Sequence, residues 1–328
     1  MLATLPVSGV DCAAMRGTAL VYSSHNRSNF IHDHFIVQRA LHGWADRRVL
    51  FLPMSETPQG GSELERQEFH WGTFEWFLRF YARYGLEAFP FYWRSNLHKE
   101  DVDRLWHYLY NSEVVILGGG HSRTGLQRYK KLGADFDGEW GKFGRILHER
   151  QQRGLLTVGF SAGADQLCEY LFERVHGNES HETDAFGLVR NTLITLHHEP
   201  HRNGDLAYAA RRFPHCMVFG LPNDSGLYVD QGVLPSGNWW QVIEFVIDCS
   251  WDDPTDTWHV KTRHGAVIEH FSCDGWNWGF RGGDRLVRVQ SPDNRFHEAW
   301  MVTGGEVRHY WSRRPSRFHS IEHVLSAH

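Results

Sequence analysis

The chain has 328 residues, of which 41% are hydrophobic and 22% charged, with a formal net charge of −5. That balance suits a globular protein and argues against a disordered one. It also advertises no basic surface for nucleic acid or for an anionic membrane, and no apolar run approaches the roughly 18 residues a membrane span needs.

In chain order, residues 1–16 read as a tail without the basic and long apolar regions of a signal peptide. Gly17 to Ser23 is a buried strand, followed by a helix near residues 32 to 45, and Arg48 to Met54 is a second strand. Ser62 and Glu65 form a capping-box signature for a helix running to about Tyr84. Ala88 to Trp93 is a third strand, Val102 to Tyr110 a helix, and Glu113 to Leu117 an apolar strand that ends in Gly118-Gly119-Gly120. A helix over 137–153 leads to the strand Leu155–Phe160, and a further helix is expected from Ala162 to Phe172. This alternation predicts a mostly parallel sheet with helices on both faces and the functional loops at one sheet edge. Beyond residue 240 the pattern changes to short alternating strands at 258–262, 266–270, 286–289 and 307–311, separated by Gly and Asp turns, with a last helix near Ile321 to Ser326. The expected organisation is a tail (1–16), an α/β domain (17–249) and a β-rich C-terminal extension (250–328).

Composition adds two constraints. Cys12, Cys168, Cys216, Cys249 and Cys273 are scattered and form no C-x-x-C pair, so neither a disulfide framework nor a zinc knuckle is expected. A reducing, cytoplasmic compartment fits that usage. Histidine, at 23 residues, is in excess.

Three segments carry chemistry. Gly159-Phe160-Ser161-Ala162-Gly163 sits at a strand-to-helix junction, where small neighbours permit the strained turn of a nucleophile elbow. Gly118-Gly119-Gly120 ends the strand expected beside it. Its glycines let backbone N–H groups approach a ligand, so the amide of Gly119 or Gly120, with that of Ala162, forms a candidate oxyanion hole. The G-x-G-x-x-G dinucleotide fingerprint is not completed, because Arg123 stands in the last position. The third segment, His197-His198-Glu199-Pro200-His201-Arg202, follows the apolar run 193–196 and offers a general base for Ser161. Spacing does not choose among these histidines, and His197, His198 and His201 are also a candidate metal set, although without the helical H-E-x-x-H arrangement. For the residue that orients the base, Asp224 is the first choice, with Asp184 and then Glu179 as alternatives.

Together, I-L-G-G-G at Ile116 to Gly120, G-F-S-A-G-A at Gly159 to Ala164, E-P-H-R at Glu199 to Arg202 and G-L-P-N-D at Gly220 to Asp224 resemble the serine peptidase family of peptidase E and cyanophycinase. The resemblance covers roughly residues 17 to 240. It implies a flavodoxin-like fold of the class I glutamine amidotransferase type, with Ser161 as nucleophile, His201 as catalytic histidine and no cofactor. It also implies cleavage beside aspartyl residues, in Asp-X dipeptides or in cyanophycin-like polymers. A carboxylate-bearing substrate needs a cation, for which Arg123 and Arg202 are the candidates. The family's usual acid position holds Asn223 here, a departure from the pattern. The expected partner is a small peptide substrate, with no nucleic acid and no membrane. Residues 250–328 lie outside the family pattern and are expected to cover the site or to mediate a homodimer.

Overall fold

The structure is a computed structural model that describes residues 17–24, 30–56, 79–94, 96–177, 180–248, 264–293 and 297–328. The tail, most of the helix expected from Ser62, the strand expected at 258–262, Cys12, Cys249 and Glu179 lie outside the described residues.

Four largely buried, largely apolar runs form the strands β1 (Ala19–Tyr22), β2 (Asp46–Leu52), β4 (Ser112–Leu117) and β5 (Leu156–Phe160), with the short β3 (Ala88–Pro90) at the edge. They pair in parallel in the order β3-β2-β4-β5-β1. Because strand side chains alternate between faces, each strand feeds two cores. Val21, Leu50, Leu52, Val115 and Leu117 face one layer of helices. That layer contains α2 (Lys99–Asn111), α3 (Ser122–Asp137), α4 (Lys142–Gln152) and the short α5 (Ala162–Leu167). Leu20, Tyr22, Val49, Phe51, Ile116 and Val158 face the other layer, where a π-helical stretch (His32–Val37) runs into α1 (Gln38–His42).

Helix α3 is absent from the sequence reading. It carries Gly125 and Gly133 and many polar residues, so its apolar stripe (Leu126, Tyr129, Leu132) is thin. Gly125 is required where it stands, since a Cβ there would lie 2.1 Å from Ser55 Oγ.

The remaining strands depart from a mostly parallel sheet. Strands β8 (Ser225–Val233), β9 (Trp239–Ile247), β12 (Arg285–Gln290), β13 (His297–Thr303) and β14 (Glu306–His309) continue the same sheet beyond β1, all antiparallel. Among the described residues the result is a mixed ten-stranded sheet, parallel through five strands and antiparallel through the other five. Short connections enforce the antiparallel pairing of β8 with β9, β12 with β13 and β13 with β14, because a parallel return needs a long crossover. Strands β6 (Thr192–Leu196) and β7 (Met217–Leu221) do not join it. They pair in parallel in a second, four-stranded sheet of order β11-β10-β7-β6, completed by β10 (Ile268–Phe271) and β11 (Asn277–Phe280). The stretch read as an extension thus supplies strands to both sheets.

Two buried polar groups tie the sheets together. The Arg288 guanidinium on β12 donates to Gln241 Oε1 (2.7 Å) and to the carbonyls of Arg190 and Asn191 just before β6. His270 on β10 bridges the carbonyl of Val218 (2.8 Å) and the Tyr310 hydroxyl (2.7 Å), and burial pushes its imidazole down to about 4. The last helix, α6 (Ile321–Ser326), packs Ile321 and Val324 against Val242, Val287 and Trp300. Among the described residues, no helix is long and apolar enough to cross a membrane.

Candidate active site

Ser161 occupies the turn between β5 and α5 with φ 49° and ψ −120°, a conformation that non-glycine residues adopt only under constraint. The constraint is visible on both sides. The Ser161 amide donates to the carbonyls of Tyr22 (3.0 Å) and Ser23 (3.1 Å) at the end of β1, and its carbonyl accepts from Ala164 (2.9 Å). The flanking glycines are obligatory: a Cβ on Gly159 would lie 2.3 Å from the Gly163 carbonyl oxygen, and one on Gly163 would lie 2.1 Å from that of Leu117. The sequence reading of a strained serine between close-packed glycines therefore describes the geometry found.

The glycine run after β4 lies against this turn. A Cβ on Gly119 would sit 3.4 Å from Ser161 Cβ and 3.0 Å from the Phe160 ring, so the two loops touch. Gly118 N–H donates to Leu52 O (2.8 Å) and His121 N–H to Ser55 O (2.7 Å), pinning the run at both ends. Gly120 has φ 120°, and a Cβ there would strike the Ser55 carbonyl at 2.3 Å. Among the described residues, no backbone carbonyl accepts from the amides of Gly119, Gly120 or Ala162.

The histidine brought to this corner is His197. It is the first residue after β6 and has φ 51°. Its N–H donates to Ser23 Oγ (2.8 Å), on the residue whose carbonyl receives the Ser161 amide. Its Nδ1 lies 2.8 Å from Asn223 Oδ1, which also accepts from Ser24 Oγ (2.7 Å). An amide oxygen only accepts, so with Asn223 turned this way His197 Nδ1 carries a proton. His201 lies on a 3₁₀ turn (Pro200–Arg202) with its side chain 71% exposed and its Nδ1 2.9 Å from Glu199 Oε2. His198 is buried with both ring nitrogens engaged, by Thr195 Oγ1 (2.9 Å) and Asn203 Oδ1 (2.8 Å), and burial lowers its pKa. The three histidines thus point to three different sets of partners. Among the described residues, no group of His, Cys, Asp and Glu is arranged to hold a metal.

The acids sort in the same way. Asp224 is buried with φ 54°, and its backbone is sewn to the Ser24 carbonyl (2.7 Å) and to the Asp248 amide (2.9 Å). The side chain that meets His197 is that of its neighbour, Asn223. Asp184 pairs with Arg174 and with His181 (2.8 Å). Both candidate cations are engaged: Arg123 with Glu182 (2.9 Å) and Glu173 (3.4 Å), and Arg202 with the Leu196 carbonyl (3.0 Å) and Asp205 (3.7 Å).

The sequence reading passed over the Ser23-Ser24 pair, whose signal was its position at the end of a buried strand. It also passed over Asp165 on α5, whose carboxyl accepts from the Phe172 amide (2.9 Å) and is bonded to Ser122. Burial pushes this carboxyl up to about 7, against those bonds. The folded chain then holds a proton that the unfolded chain releases near an ordinary aspartate pKa of about 4. Its contribution to stability is therefore complete below pH 4 and lost as pH rises through 7. Asp165→Asn, which mimics the protonated acid, is expected to gain on the parent protein as pH rises from 5 to 8, read as the difference between their urea midpoints.

No curated protein matches the sequence. Among solved structures, a peptidase from an acI-B1 actinobacterium superposes with a TM-score of 0.52 at 14% identity, covering 80% of this chain and 94% of that one. A putative peptidase E protein from Listeria monocytogenes EGD-e matches with a TM-score of 0.38 at 14% identity, covering 65% of this chain and 93% of that one. The family model of Peptidase family S51 matches residues 77–234. That span, just under half of the chain, holds the strained serine, the glycine run, His197 and Asn223, and it carries the similarity to peptidase family S51.

Proposed function

We propose that the protein is a serine-type peptidase that forms an acyl-enzyme on Ser161. In this reading His197 Nε2 removes the Ser161 proton as Oγ attacks the scissile carbonyl, then returns it to the leaving amine. Asn223 holds the imidazole in the tautomer this requires, replacing the usual acid without its charge. The amides of Ala162 and of Gly119 or Gly120 receive the oxyanion, each donor contributing about 10²- to 10³-fold in rate. A water activated by the same imidazole completes hydrolysis. The observation that carries the reading is the joint anchoring of Ser161 and His197 on Ser23, through its carbonyl and its hydroxyl respectively.

The proposed substrate is a small aspartyl-type peptide or a cyanophycin-like polymer, a preference taken from the family resemblance. Arg123 and Arg202 remain the proposed partners of its carboxylate. Each already has an acidic neighbour, so a substrate carboxylate would have to compete with Glu182 or Asp205.

The test is labelling with a fluorophosphonate, with the modified peptide located by mass spectrometry, followed by a panel of Asp-X and isoaspartyl peptides. Labelling at Ser161 is expected, lost in His197→Ala and kept in His201→Ala. Loss in His201→Ala alone would return the base to His201. An unlabelled serine together with no turnover across the panel would favour a binding protein on the same scaffold.

A further inference from the structure

An asparagine beside a catalytic histidine poses a problem that an aspartate does not. A carboxylate presents two equivalent acceptors, whereas an amide presents one acceptor edge and one donor edge. Turned by half a rotation, Asn223 would aim its NH₂ at His197 Nδ1 and force the imidazole proton onto Nε2. That nitrogen would then donate rather than accept, and it could not take a proton from Ser161.

We infer that Ser24 is a positioning residue that selects the working orientation of the Asn223 amide, and through it the tautomer of His197. The inference rests on the reading of His197 as the general base. Ser24 Oγ donates to Asn223 Oδ1 at 2.7 Å, the same oxygen that lies 2.8 Å from His197 Nδ1. Asn223 is fully buried, so bulk water does not compete for that oxygen. The backbone of Ser24 is fixed to the residue beyond Asn223, because its carbonyl accepts the Asp224 amide at 2.7 Å. Its neighbour Ser23 holds the other two members: its carbonyl receives the Ser161 amide and its hydroxyl receives the His197 amide. The dipeptide leaving β1 therefore touches the nucleophile, the base and the residue that orients the base. Ser23 sets where the first two stand, and Ser24 sets which way the third one faces.

The proposal is tested by a mutant cycle with a spectroscopic readout. Long-range ¹H–¹⁵N correlation on the full chain labelled at histidine is expected to show His197 as the Nδ1–H tautomer, shifting toward Nε2–H in Ser24→Ala. Loss of one buried hydrogen bond that sets an acceptor should lower kcat by about 10- to 100-fold with KM within about two-fold. Ser24→Thr, which keeps the hydroxyl, should restore both. In an Asn223→Asp background either oxygen accepts, so Ser24→Ala should there cost no more than about two-fold. An equal loss in both backgrounds would overturn the proposal, as would an Nε2–H tautomer in the parent protein. The tautomer is read without turnover and judges Ser24 separately from the catalytic reading, which stands or falls on whether His197→Ala abolishes labelling of Ser161.

Discussion

Ser161→Ala is expected to lower kcat by about 10⁴- to 10⁶-fold, His197→Ala by a similar factor, and the double variant by no more than either single one. Non-additivity is the informative part. A nucleophile and its base act in one step, so removing the second loses nothing the first has not already lost. Residual activity over water would remain from the amides of the glycine run and Ala162, which neither substitution touches. Unfolding midpoints should stay close to that of the parent, since the elbow is held by backbone bonds from Ser161 to Tyr22, Ser23 and Ala164 and by close-packed glycines. His201→Ala should stay within a few-fold of parent activity, because its exposed side chain pairs with Glu199. Additive losses from Ser161 and His197 in steady-state kinetics would mean that the two do not share a step.

Glu113→Ala is expected to cost about 3 to 5 kcal/mol of stability, the usual penalty for stripping one partner from a buried ion pair. Glu113 is fully buried at the start of β4, and its Oε1 lies 2.5 Å from Arg39 Nε on α1. Its Oε2 accepts the Ala45 amide at 3.0 Å. Arg39 also donates to the carbonyls of Gly17 and Gly154, so one guanidinium joins α1 to the entrances of β1 and β5. Gly43 makes room for the carboxylate, since a Cβ there would lie 2.1 Å from Glu113 Cδ. The cluster sits where β4 begins, whereas Ser161, the proposed nucleophile, sits where β5 ends. Turnover well below the melting temperature should therefore be unchanged, and denaturant unfolding should carry the whole effect. A variant with normal stability would show that the pair only balances its own desolvation.

Glu113 also shows where a sequence misleads. Within an otherwise apolar strand it reads as a tolerated outlier, because its partner lies 74 positions away on another element. Local pattern served best where burial is complete: β1, β2, β4 and β5 announce themselves as apolar runs, and the elbow follows from glycines that must be small. It served least where long-range pairing decides. Nothing local says that Thr192–Leu196 and Met217–Leu221 leave the main sheet for a smaller one, or that β12 pairs with β9. The histidine shows the same limit. The family-like motif at Glu199 to Arg202 points to His201, whereas the contact of His197 with Ser23 follows a left-handed residue just after β6, a backbone property no spacing reveals. The departure at Asn223, by contrast, is legible in the sequence alone, and Asn223 is the side chain that meets His197.

The place of β1 in the sheet bears on how the protein is made. β1 lies between β5 and β8, and the serines that follow it hold Ser161, His197 and Asn223. It is the earliest of the described strands to leave the ribosome, yet its two neighbours are completed only when residues 160 and 233 have emerged. Pairings so distant in sequence form slowly, because the intervening chain must be closed first. Until then an apolar segment waits without a partner, exposed to mispairing and to chaperones. Catalytic competence should consequently appear late in synthesis, all at once, when β8 closes over β1.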